Sequence, residues 1–307
     1  MNVDLLFGER ILLASIHPMT KVMGFLDPIF VKETKYPTYC SPGARERALQ
    51  LSKVAEKAHA FLNEFIKADS EVSLLVLNEE DWKLRFKKIN YGMMTGTRGI
   101  IHFPADEETP PVNIARPLYD NAPLNLKKRL IEVVGEVGDP YGKAMIAYRS
   151  SKVVHELTHV FLDGCPDLLR SPTSYGGLVF GVHWFNEFLC EYTQYAFLRR
   201  HEEEYSYQLS INHLLPELIY RGGLRLVKHT WADFNRLYTD VGVLDFLWYL
   251  FRVTLGAMEL YEVYGEEFIG YAIESFKPSN DFLVRNLEAC HGGLGDWFGG
   301  WLENNQC

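Results

Sequence analysis

The chain has 307 residues, of which 47% are hydrophobic and 23% charged. That is the composition of a folded globular protein, and it excludes a disordered or fibrous one. Lys and Arg number 31 against 40 Asp and Glu, a net charge of -9 with no basic stripe, which excludes nucleic acid and anionic lipid as partners.

The first residues, Met1 to Arg10, show no basic start and no sustained apolar run, so no signal peptide is expected. Strand propensity begins at 10–16. A helix is predicted from Ala44 to Lys67, where Ala48, Leu51, Ala55, Ala58, Leu62 and Phe65 recur at helical spacing behind Pro42 and Gly43. Val72 to Leu77 is an apolar run of the kind that forms a buried strand. A polar stretch and the glycine-rich loop Tyr91 to Gly99 follow. Ile100 to Phe103 then reads as a further strand, ended by Pro104. The four prolines between 106 and 123 predict irregular surface.

Beyond that point the pattern turns helical, at 125–137, 149–162, 183–200, 206–220, 230–238, 241–262, 265–276 and 280–290. Strands first and helices later predict an α+β fold, with an N-terminal lobe over 1–163 and a mainly helical lobe over 164–307. The stretch Ser171 to Asn186 lacks Asp, Glu, Lys and Arg, but its Pro172, Gly176, Gly177, Gly181 and His183 exclude a membrane span. Cys40, Cys165, Cys190, Cys290 and Cys307 form no close pair, which predicts free thiols in a reducing cytoplasm.

The chemistry is concentrated in Val153-Val-His155-Glu156-Leu-Thr-His159-Val-Phe-Leu162. Residues four apart share a helix face, so His155 and His159 can present two imidazoles to one metal ion. Glu156 lies one step round the helix, where a general base for a metal-activated water belongs. Ser150 or Ser151 is expected to cap this helix. A third ligand is needed, and the apolar segment 183–197 offers Glu187 and Glu191, the only acids between Arg170 and Arg199. Buried carboxylates demand partners. Glu187 is read as the ligand and Glu191 as the acceptor for an N–H of His155; Glu191 and His183 are the alternative ligands.

His-Glu-x-x-His followed by Asn186-Glu187-x-x-x-Glu191 resembles the gluzincin class of zinc metallopeptidases, which includes thermolysin. The resemblance covers about 151–195. It implies a zincin-like fold, in which a small mixed sheet and the active-site helix form the N-terminal lobe. It also implies one Zn2+ on His155, His159 and Glu187, with Glu156 as base, Glu191 one turn on, and a peptide or protein substrate. The 27 residues from Val160 to Asn186 exceed the spacing in the best-known members, as a loop insertion would make them. By the same resemblance Gly99, Ile100, Ile101 and His102 belong to an edge strand binding substrate backbone, and Tyr238 or His229 is the oxyanion donor. Gly256-Ala-Met-Glu259 resembles an amine-binding motif but sits within a helical pattern, downstream of the metal helix. Two rival functions keep the same residues: an inactive scaffold that binds other proteins, and a zinc hydrolase acting on a non-peptide substrate.

Overall fold

A computed structural model describes residues 29–31, 34, 36–66, 71–86, 89–97, 99–163, 174–175, 178–179, 183–224, 243–275, 285–289 and 292–303. The expected strand at 10–16, the helix at 230–238 and most of the 164–182 connection lie outside them, as do Tyr238 and His229.

The fold is α+β. Five strands form one mixed sheet: β1 (Ile29–Val31), β2 (Thr38–Cys40), β3 (Ser73–Leu77), β4 (Thr95–Thr97) and β5 (Ile100–Pro104), in the spatial order β1-β2-β3-β5-β4. β2, β3 and β5 are parallel, and β1 and β4 close the two sides antiparallel. The crossover from β2 to β3 is the helix α1 (Arg45–Phe65), whose buried stripe of Ala48, Leu51, Ala55, Ala58, Phe61 and Leu62 is close to the pattern read from the sequence. The polar stretch after β3 forms a short helix, α2 (Glu79–Arg85), started by the Asn78 side chain, which accepts from the Asp81 N–H at 2.9 Å.

Alternation along the strands divides the sheet into two faces. Leu74, Val76, Ile101 and Phe103 enter the main core with the long helices, whereas Leu75, Leu77 and Ile100 join Tyr39, Trp82 and Tyr91 in a smaller cluster on the other face. His102 follows the same parity. It packs edge-on against Phe86 with ring centroids 4.8 Å apart, and burial, aided by Arg85, depresses its pKa to about 3, so the ring is neutral.

These facts correct one expectation. Gly99 to His102 cannot offer substrate a free strand edge, because β5 is hydrogen-bonded on both sides, to β3 and to β4. The edge strand is Thr95–Thr97, inside the segment read as a loop: three residues interrupted by Gly96 are too short for a periodic signal.

The proline-rich segment is also more regular than expected. Pro110 and Pro117 sit in the first turns of two short helices, α3 (Pro110–Ile114) and α4 (Arg116–Asp120), the helical position proline tolerates best. α5 (Leu124–Val134) leads to the central element α6 (Pro140–Asp163), buried on nearly every side. α6 starts two turns before the expected point. Pro140 is its first residue, and Asp139 caps it by accepting the backbone N–H groups of Tyr141 and Gly142. Ser150 and Ser151 are therefore interior residues, and their hydroxyls bond back to the Ile146 and Tyr148 carbonyls at 2.9 and 2.6 Å.

The rest is helical: α7 (His183–Arg200), α8 (Glu202–Gly223), α9 (Val243–Tyr264), α10 (Glu267–Ser275) and α11 (Leu294–Glu303), with a short pair of strands at Ser174–Tyr175 and Leu178–Val179. α7 packs against α6, α8 and α9, and a continuous hydrophobic core runs from Val31 to Phe298. Among the described residues no helix is long and apolar enough to cross a membrane.

Candidate metal centre

Two helices carry the site, and each presents acidic or imidazole groups about one turn apart. α6 brings His155, Glu156 and His159; α7 brings Glu187 and Glu191. Hydroxyl contacts set the helices against each other: Thr158 and Thr193 share a hydrogen bond of 2.6 Å. Gln194 donates to Ser151 at 3.2 Å and to Asn212 of α8 at 2.8 Å.

At the crossing, three groups converge. His155 Nε2 lies 3.2 Å from His159 Nε2 and 3.2 Å from Glu187 Oε2, and His159 Nε2 lies 3.5 Å from Glu187 Oε1. A tetrahedral ion bound at about 2.0–2.1 Å by nitrogen and oxygen separates its ligand atoms by about 3.3 Å, and the two Nε2 atoms, and each of them to its nearer Glu187 oxygen, are spaced on that scale. Glu187 and His155 are each only 4% exposed, and His159 is partly buried at the edge of the site.

The remaining atoms of these side chains are held in turn. His155 Nδ1 lies 2.9 Å from Glu191 Oε1. Glu191 also accepts from the Lys152 ammonium and, at 3.5 Å, from the Tyr148 hydroxyl, which shares a 3.1 Å bond with Thr254 of α9. His159 Nδ1 faces Cys190 Sγ at 3.4 Å, and that thiol is 3.7 Å from Asn186 Oδ1. Each imidazole thus has Nε2 directed at the shared point and Nδ1 fixed from behind, an arrangement that orients metal-binding histidines.

His155, His159 and Cys190 stand close enough for each to offer one atom to a single metal ion. The position of the sulfur disfavours that set. Cys190 approaches His159 at Nδ1, away from the point where the two Nε2 atoms and Glu187 meet. Without a metal, burial, reinforced by Glu187, Glu156 and Glu191, holds the thiol well above its ordinary pKa.

Electrostatics point the same way. Burial alone would raise the carboxyl of Glu187, yet the two imidazoles hold it well below the ordinary range. Burial opposes charge on His155 too, but Glu191 overrides it and lifts the ring to about 9. Burial and Glu187 compete at His159 with a net upward shift. Glu191, despite burial, is held at about 2 by Lys152 and His155. Three carboxylates and one ammonium therefore surround the two rings, and the field where the rings meet favours a cation.

The site opens into a cleft of about 560 Å3. Glu156, 7% exposed, forms part of its floor, and burial raises its carboxyl above the ordinary range against the opposing pull of the two histidines. Apolar side chains from α9, among them Phe246, Leu250 and Phe251, face Met93, Met94 and Met145 across it. The rim on the sheet side is β4. A Cβ at Gly96 would stand 2.0 Å from the backbone oxygen of Glu156, so only glycine lets this edge strand lie directly on α6 at Glu156. Gly96→Ala should therefore push β4 off the helix, destabilising the fold by about 1–3 kcal/mol in a urea titration. Wild-type stability in that variant would refute the close contact.

Sequence reasoning named His155, Glu156, His159, Glu187 and Glu191, and the fold brings all five together. It missed Lys152, Tyr148 and Cys190. Lys152 was legible as a cation three residues before His155, and Cys190 as a residue between the two acids on α7. Gly256 to Glu259 lies inside α9, with Glu259 exposed and 3.6 Å from Arg252, away from the cleft lining. No family model, curated protein or solved structure matches this chain.

Proposed function

We propose that the chain is a zinc-dependent hydrolase of zincin-like architecture that cuts peptide bonds. The convergence of His155 Nε2, His159 Nε2 and the Glu187 carboxylate within 3.2–3.5 Å carries this reading. A zinc ion held by those three groups would supply Lewis acidity, acidifying a water and polarising the scissile carbonyl.

The protein's own residues supply the rest. Glu156, buried beside the histidines with a raised pKa, takes a proton from the attacking water on its carboxylate and delivers it to the departing amine. Glu191, held ionised by Lys152, faces His155 Nδ1 at 2.9 Å, and its charge keeps Nε2 aimed into the cleft. Cys190 faces His159 Nδ1 in the same way, through a weaker contact. The outer edge of β4 is unpaired among the described strands and runs along the cleft, which suits it to hold an extended peptide by backbone hydrogen bonds. The apolar walls exclude water from the reacting groups.

Purified protein incubated with a mixture of unfolded polypeptides should cleave them, lose that activity to a zinc chelator and regain it on addition of zinc. Zinc-replete protein that leaves every peptide intact would overturn the peptidase reading.

A further inference from the structure

Arg149 stands on α6, six residues before His155, and lines the cleft. It is 7% exposed, and its two hydrogen bonds go to neutral groups, the Thr109 hydroxyl and, at 2.6 Å, the Gly92 carbonyl. Those contacts use two of the five N–H groups of a guanidinium. Among the described residues no carboxylate bonds to it. The nearby acids are already engaged: Asp106 accepts from the Tyr91 hydroxyl at 2.6 Å, and Glu107 pairs with Arg47 at 3.7 Å. Lys152, one turn away, is in contrast matched by Glu191. A buried guanidinium without a counter-charge is costly unless an anion arrives, and the apolar walls opposite strengthen any ion pair formed there.

We propose that Arg149 is a subsite for a carboxylate of the substrate. Six residues of helix rise about 9 Å, and an extended peptide covers about 3.3 Å per residue. The carboxylate recognised is thus two to three residues from the bond that is cut. It is either the free C-terminus or an acidic side chain. This rests on the peptidase reading of the cleft.

Two probes on the zinc-loaded full chain separate the subsite from that reading. The first is N-acetyl-leucine against its amide, followed by calorimetry. The acid should bind at least about tenfold more tightly, and Arg149→Met should bring the two within about twofold, with Arg149→Lys retaining part of the difference. The second is kcat/KM for matched peptides: free C-terminus against C-terminal amide, and Glu against Gln three residues from the cut. Whichever pair shows the tenfold preference identifies the source of the carboxylate. Equal binding of acid and amide to the wild type overturns the subsite, a result that does not depend on whether Arg149→Met folds. So does a preference that survives in folded Arg149→Met. Carboxylate binding lost in Arg149→Met, without cleavage of any peptide, upholds the subsite and rejects the peptidase reading. Cleavage indifferent to carboxylates does the reverse.

Discussion

Glu156→Gln should hold about one zinc ion per chain and hydrolyse peptides about 10²–10⁴-fold more slowly than the wild type. The amide matches the carboxylate in size, so packing on the cleft floor is preserved and the ligand triangle of His155, His159 and Glu187 is untouched. What is lost is a group that can take up a proton. Burial already raises the Glu156 carboxyl, which makes it a better base than an exposed glutamate. Metal content by emission spectroscopy and kcat/KM on one peptide check both halves of the claim. Unchanged turnover would remove Glu156 from the mechanism; loss of the ion would recast it as a group that shapes the site.

Lys152→Met is expected to be the most damaging change outside the triangle. Lys152 and Glu191 form an ion pair whose side chains are 4% and 0% exposed. Removing the ammonium leaves Glu191 as a buried anion with only His155 and Tyr148 to face, and breaking such a pair costs about 3–5 kcal/mol. It also frees Glu191 from its position behind His155, which should weaken zinc binding about 10–100-fold. Adding Glu191→Leu to Lys152→Met removes the orphaned charge and should restore most of the stability while leaving zinc affinity low. Urea unfolding of the metal-free proteins, with zinc titrations beside it, measures both effects. A loss below about 1 kcal/mol in the single variant would mean that the pair is not the internal strut described here.

The long, strongly patterned elements were legible in the sequence. α1, α7, α9 and the strands β3 and β5 each carry an apolar pattern long enough to declare itself, and His-Glu-x-x-His needs only a helix to bring its two imidazoles to one face. The beginning of α6 was misjudged because Ser150 and Ser151 look like caps, whereas Asp139-Pro140 is the stronger start signal two turns earlier. That error left Tyr148 outside the predicted helix. β4 was missed for a different reason. A three-residue edge strand built around Gly96 has no period to detect, and it exists because glycine permits contact with the α6 backbone. The sequence also identified His102 as a residue of the strand beside the cleft, but the parity of β5 turns its ring to the far face. The partner of Lys152, Glu191, stands on the neighbouring helix, so the pairing has no signature within either segment.

The central claim is that two imidazoles and the carboxylate of Glu187 hold one zinc ion. X-ray absorption at the zinc edge of the purified protein tests it most directly. The account predicts stoichiometric zinc with nitrogen and oxygen neighbours at about 2.0–2.2 Å, and loss of that ion in Glu187→Ala. A sulfur neighbour at about 2.3 Å, which would place Cys190 on the metal, or a protein that takes up no zinc, would contradict it.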